Sequence, residues 1–199
     1  MNNPENKTNK IEQALKPLDI KFDEKKGTFL LGVDRNSVDM QRAGEVAKKR
    51  GLIEKDEIHL TVIGNNTAEV ILASLEKFSE YERIKMLSQI QELARGVNWR
   101  FSFKPEFYYI KKIYNDLDPN NPNQTIPEIR ESIIQIVDTE NLKEFYDQLK
   151  EITGLQLEAP LPHVTLFTTS TRKDKKKRGI GIYSEKDFGS LNPEKIKVD

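Results

Sequence analysis

The chain contains no cysteine. That absence removes disulfides, thiol nucleophiles and cysteine-ligated zinc together, and it fits a reducing compartment. Charge of either sign is not in surplus: 32 Lys and Arg face 32 Asp and Glu across 199 residues, for a formal net charge of zero. The global basic field of a dedicated nucleic-acid binder is therefore missing, so any phosphate-binding surface must be local. No apolar run approaches the ~20 residues that cross a bilayer. The polar start, Met1 to Lys10, lacks the apolar core of a secretory signal. No glycine-rich loop of the Walker type is present, which argues against an ATP-driven ligase. A stretch starting at Asp116-Leu-Asp118 superficially resembles a calcium loop. Its sixth position is Asn121 and its twelfth Pro127, where glycine and glutamate are needed. These absences lead us to expect a cytoplasmic monomer with no membrane contact, no metal and no cofactor.

What is present reads as an α+β protein. Residues 1–27 form a polar N-terminal extension, disordered over the first ten, with a short amphipathic segment broken at Pro17. A single domain spans residues 28–188, and residues 189–199 form an irregular tail. Thr28-Phe-Leu-Leu-Gly-Val33 is a short apolar strand. A helix capped by Asn36 or Ser37 runs to Arg50 and ends at Gly51. Ile58-His-Leu-Thr-Val-Ile63 is the next strand. Asn66 and Glu69 have the spacing of a capping box for a helix over residues 68–78, and a second helix covers 80–94. Residues 99–103 and 107–114 read as strand interrupted by Pro105, and 116–123 as a polar loop. Ser132-Ile-Ile-Gln-Ile-Val137 is a strand and 139–153 a helix ended by Gly154. His163-Val-Thr-Leu-Phe167 is a strand, and a basic loop, 172–178, joins it to a last strand at 179–183. The succession of strand, helix and His-containing strand occurs twice, as a repeat of pattern rather than of sequence.

Histidine is also scarce: the chain has two, and both sit in the same setting. One lies in His59-Leu60-Thr61, the other in His163-Val164-Thr165. With 11 threonines in 199 residues, shuffling would give both histidines a Thr two positions on only about three times in a thousand. Side chains alternate along a strand, so each His shares a face with its Thr while Leu60 or Val164 points to the core. Two such pairs facing each other suit phosphodiester chemistry. Imidazole titrates near neutrality, so one ring can accept a proton while the other donates one to the leaving oxygen. Threonine hydroxyls can donate to the non-bridging phosphate oxygens, where charge builds in the transition state.

Paired His-x-Thr strands resemble the signature of the 2H phosphoesterase superfamily, which includes LigT-like 2'-5' RNA ligases and cyclic phosphodiesterases. The resemblance covers about residues 28 to 185. The run from Phe29 through the 39–50 helix to His59-Leu-Thr61 looks like the family's first lobe. The run from Ile133 through the 142–152 helix to Pro162-His163-Val-Thr165 looks like its second. The resemblance implies a bilobed fold of two pseudo-symmetric lobes, each an antiparallel sheet with flanking helices, and an active-site cleft between them. It implies metal-free cleavage, or reverse ligation, of a 2',3'-cyclic phosphate or a 2'-5' linkage on a nucleotide or RNA end, with His59, Thr61, His163 and Thr165 as catalytic residues. Some relatives degrade cyclic oligonucleotides. Many members carry a basic residue three positions after the second motif threonine. This chain has Thr168 there and places its cations later, among them Arg172 and Lys173.

Those two cations, with Tyr109, are the further candidates for contacting substrate. The basic loop would hold a phosphate backbone if it folds over the cleft. A tyrosine can stack a base, and Tyr108, Trp99 and Phe29 share that capacity. Bland alternatives stand beside these readings. A charge run is commonly a solvated tip, an aromatic at alternating positions is commonly core, and the whole fold could bind an RNA end or nucleotide without cleaving it.

Overall fold

The computed structural model describes residues 14–118, 121–172 and 176–196. The disorder expected over residues 1–10 and the position of Lys173 lie outside the described residues. Among those described, eight strands join in one antiparallel sheet, with helices packed mainly on one face. The elements are β1 (Ile20–Asp23), β2 (Thr28–Gly32), α1 (Met40–Lys49), β3 (Ile53–Glu54), β4 (His59–Ile63), α2 (Asn65–Leu75) and α3 (Glu80–Gly96). They continue with β5 (Phe101–Asp118), β6 (Asn121–Thr139), α4 (Leu142–Thr153), β7 (His163–Ser170), α5 (Glu185–Ser190) and β8 (Glu194–Lys195). The sheet order is β1-β2-β4-β7-β6-β5-β8, with β3 beside β7. No described helix is long and apolar enough to cross a membrane.

The two strands that carry the His-x-Thr motifs meet at the centre, paired through Leu60 and Val164. Outward from that pairing the halves match. β4 is flanked by β2 and then β1, and β7 by β6 and then β5, all antiparallel. A helix lies between β2 and β4 in the chain, and another between β6 and β7. The match extends to single residues. On β4 the register skips Val62, one residue after Thr61; on β7 it skips Leu166, one residue after Thr165. Each skip is a bulge, which strengthens twist and leaves one residue without ladder bonds. Both orphaned carbonyls find donors elsewhere. The Tyr146 hydroxyl of α4 donates to Val62 O at 2.7 Å, and the Lys55 amide donates to Leu166 O at 2.9 Å.

The main core fills the face that Leu60, Val62, Val164 and Leu166 present. Ala43 and Ala47 of α1, Ile71 and Leu75 of α2, Ile90 and Ala94 of α3, and Phe145 and Leu149 of α4 close over it. Trp99 is fully enclosed against Phe29 and Phe145, ring centroids 5.6 and 5.4 Å away, and its indole N–H donates to Ala94 O at 2.8 Å. A smaller apolar cluster, Ile110, Ile134, Ile136, Ile180 and Ile182, lies apart from it.

Several expectations need correction. The N-terminal extension contributes an edge strand, β1, and Leu15 bridges to Phe101. The tail is not irregular throughout: α5 reaches Ser190, and β8 pairs with β5. Asn36 and Ser37 sit in a 3-10 turn capped by Asp34, and Asp39 caps α1. Asn66 and Glu69 form no capping box; α2 begins at Asn65 behind Gly64, while Ser79 and Glu82 make a capping box on α3. Pro105 does not split β5 but falls where its register shifts, as expected for a residue without an amide donor. Of the polar stretch 116–123, the described residues 116–118 and 121–123 are strand, ending β5 and beginning β6. Residues 179–183 are not a strand: Ile180 and Ile182 pack in the smaller cluster instead of joining the ladder.

Removing the Tyr146 hydroxyl leaves the Val62 carbonyl buried without a donor. Tyr146→Phe is expected to lower the unfolding free energy by about 1–3 kcal/mol in urea denaturation; an unchanged midpoint would show that the bulge does not depend on this bond.

Candidate active site

Strand alternation decides what the site contains. On β7, Val164 and Leu166 face the core, so His163 and Thr165 face the other way; on β4, His59 and Thr61 do the same. Both motifs show one burial sequence, half-buried His and Thr alternating with buried apolar residues. Extending the Leu60–Val164 register one residue each way sets His59 across from Thr165 and Thr61 across from His163. All four side chains line one cavity of about 610 Å³, within the usual range for small-ligand sites. Gly32 of β2 is the partner of His59, and a Cβ there would collide with the Asp19 carboxylate.

Segment 176–183 roofs the site and is tied down at several points. Lys55 Nζ donates to Lys177 O at 2.9 Å, and the Thr168 hydroxyl donates to Arg178 O at 3.0 Å. Gly179 lies so close to Thr165 that a Cβ would come within 3.3 Å of the hydroxyl oxygen. Any side chain there would press on the motif threonine. Among the described residues neither motif threonine hydroxyl has a protein hydrogen-bond partner, which leaves both to the cavity. The N-terminus of α2 also opens here. Gly64, Asn65, Asn66 and Thr67 line the cavity, and the helix start has no side-chain cap. Its amides and the positive end of the helix dipole would favour an anion.

The electrostatics favour the neutral form of both rings. Burial pushes the His59 imidazole below its ordinary value, and Lys55 and His163 push it further, against the opposing pull of Glu57. Burial also lowers His163, although the carbonyls of Leu161 and Ile180 favour its charged form. The His163 Nδ1–H donates to Leu161 O at 2.8 Å, which fixes the ring's orientation and its neutral tautomer. Lys55 lines the same cavity half-buried, and burial lowers its own pKa. An anionic phosphate between the rings would reverse these tendencies and favour imidazolium.

The other sequence candidates fall elsewhere. Tyr109 lies on the core side of β5, under the Arg50 guanidinium at 3.9 Å, and does not line the cavity. Sheet parity gives its neighbour Tyr108 to the site face, where Phe188 covers it edge-on, centroids 5.3 Å apart. Trp99 and Phe29 are buried in the main core. Arg172 donates to Leu117 O at 3.1 Å, outside the cavity lining. Lys55, Lys112, Tyr114, Arg130, Gly179 and Tyr183 do line it and were not singled out from sequence. The signal for Lys112 and Tyr114 was their alternation on β5. Arg130 lay in a stretch read as outside the strand. Among the described residues no three His, Asp or Glu side chains are grouped to hold a metal ion. Compared with protein-family models, curated proteins and solved structures, the chain matches none.

Lowered imidazole pKa values link pH to stability. The unfolded chain binds these protons at about pH 6.5, the folded chain only at lower pH, so the stabilisation is complete above that value and is lost as pH falls through the folded pKa values. Urea denaturation from about pH 7.5 to about pH 5.5 is expected to show falling stability, with a shallower fall in His163→Asn. An equal slope in both proteins would contradict the burial argument.

Proposed function

We propose that the chain is a metal-independent phosphodiesterase in which His59 and His163 act as the acid–base pair and Thr61 and Thr165 hold the scissile phosphate. The substrate class is a nucleotide or RNA phosphodiester, either a 2',3'-cyclic phosphate or a 2'-5' linkage. One observation carries the reading: the two His-x-Thr strands pair at Leu60 and Val164, with both motifs directed into one cavity. The matched flanking strands and the bulge after each motif threonine support the two-lobed arrangement that the family resemblance implies.

The chemistry follows from the proton inventory. One neutral imidazole removes a proton from the attacking water as its oxygen bonds to phosphorus. The other, protonated, delivers a proton to the leaving oxygen as the P–O bond breaks. The negative charge that builds on the non-bridging oxygens meets the two threonine hydroxyls and the amides of the α2 N-terminus. The products are a phosphomonoester and a free hydroxyl, with one water consumed. Run backwards, the same transfers join the two ends.

Turnover is expected in excess EDTA on a panel of nucleoside 2',3'-cyclic phosphates, 2'-5' oligoadenylate and cyclic oligonucleotides. His59→Ala and His163→Ala should each lower kcat by about 10²–10⁴-fold. Full activity in either variant, or no turnover on any substrate, would sink the assignment.

Because both rings are depressed in the free protein, kcat/KM should peak on the acid side of about pH 6.5. The kcat profile should lie at higher pH, because bound phosphate raises the imidazolium pKa. Coincident profiles with an alkaline optimum would contradict this electrostatic picture.

A further inference from the structure

The site face extends well past the motifs. On it, Lys112 of β5 lies opposite Arg130 of β6, which lies opposite Ser170 of β7, and in the next row Tyr114 lies opposite Glu128. From Thr165 to Ser170 the strand advances five residues, about 15 Å at ordinary strand rise. Yet Lys112, Tyr114, Arg130, Arg178 and Tyr183 line the same cavity as the histidines. In a chain of zero net charge, this lining carries four cations, with Lys55, against one carboxylate, Glu69.

The far end is built with care for geometry. Glu128, wholly buried, grips the Arg130 guanidinium at two points, 2.7 and 2.8 Å, and accepts from Ser170 Oγ at 2.6 Å. A buried ion pair of this kind contributes little net stability, because both charges lose their water. What it does here is fix the guanidinium against the Tyr114 ring, 4.0 Å from the centroid. Lys112 Nζ sits 5.8 Å from the Tyr114 ring and 5.4 Å from the Tyr183 ring, held by Asp187 at 3.2 Å. Arg178 has its carbonyl pinned by Thr168 while its exposed side chain, among the described residues, pairs with no carboxylate.

We propose that this cationic, tyrosine-lined end is a second recognition site that binds a phosphate and base of an oligonucleotide beyond the scissile phosphodiester, so that the protein acts on oligonucleotides in preference to mononucleotides. Phosphates are drawn by local positive charge and bases by flat aromatic faces, and this end offers both. Glu128 and Ser170 are positioning residues for Arg130. The inference rests on the phosphodiesterase reading for which bond is cut, but not for what the far end binds.

The test compares kcat/KM on a nucleoside 2',3'-cyclic phosphate with kcat/KM on di- and trinucleotides ending in that group, on 2'-5' triadenylate and on a cyclic dinucleotide. At least one substrate with a second phosphate should exceed the mononucleotide by roughly tenfold or more, and Lys112→Ala, Tyr114→Leu and Arg178→Ala should each cut that ratio by roughly tenfold, the scale of one stacked base or phosphate contact. The substrate arms identify which oligonucleotide it is. A ratio near one in the wild type, or one that the three variants leave unchanged while melting normally, overturns the proposal. If no substrate turns over, the catalytic reading has failed, and fluorescence anisotropy with a labelled trinucleotide decides the second site alone. Salt-sensitive binding that weakens in Lys112→Ala and Arg178→Ala supports it, and absence of binding overturns it.

Discussion

Leu60 on β4 sits opposite Val164 on β7, and the two halves of the molecule are arranged about that pairing. Because side chains alternate, burying these two residues in the core forces His59, Thr61, His163 and Thr165 onto the opposite face. A slip of one residue on either strand would send one motif into the core. Register is strongly held, since Leu60, Val62, Val164 and Leu166 are all buried in one cluster. The bulges that follow both threonines interrupt regular pairing just after each motif. Their carbonyls are satisfied from distant parts of the chain, by Tyr146 of α4 and by Lys55, so each half helps to hold the motif region of the other.

The same face offers a neutral chain a local site where the proposed phosphate would be held. Its charges are balanced overall but not locally. Cations collect along the cavity, while their carboxylate partners Glu128 and Asp187 hold them in position. Burial lowers both imidazole pKa values and so favours the neutral rings. Under the proposed function, ligand charge and ring protonation would be coupled, and a bound phosphate would favour the acid needed for leaving-group departure.

Much of this was legible before the fold. A period of two around each histidine gave the shared face of His and Thr, and the apolar residues between gave the core side. Other features were hidden for physical reasons. Alternation shows that Tyr108 and Tyr109 face opposite ways but not which way. Burial under Arg50 and Phe188 then removes both from the cavity. Arg130 was missed because Asn121 to Glu131 is polar and contains two prolines, and so does not read as strand. It is strand because β5 pairs with it continuously from Thr125 to Glu131. Ile180 and Ile182 alternate with glycine like a strand, yet that pattern also suits a segment laid flat on a sheet, which is what forms. The cap at Asn66 failed since Gly64, one residue before the helix, leaves the α2 amides open to the cavity.

The presence of only two histidines makes the central claim directly measurable. Imidazole nitrogen NMR can follow both rings through a pH titration, with and without a nucleoside 2'-phosphate. The account predicts that both titrate below about 6.5 in the free protein and that both pKa values rise together when the phosphate binds. A response from one ring alone, or from neither under saturating ligand, would contradict the claim that the two His-x-Thr strands form a single phosphate site.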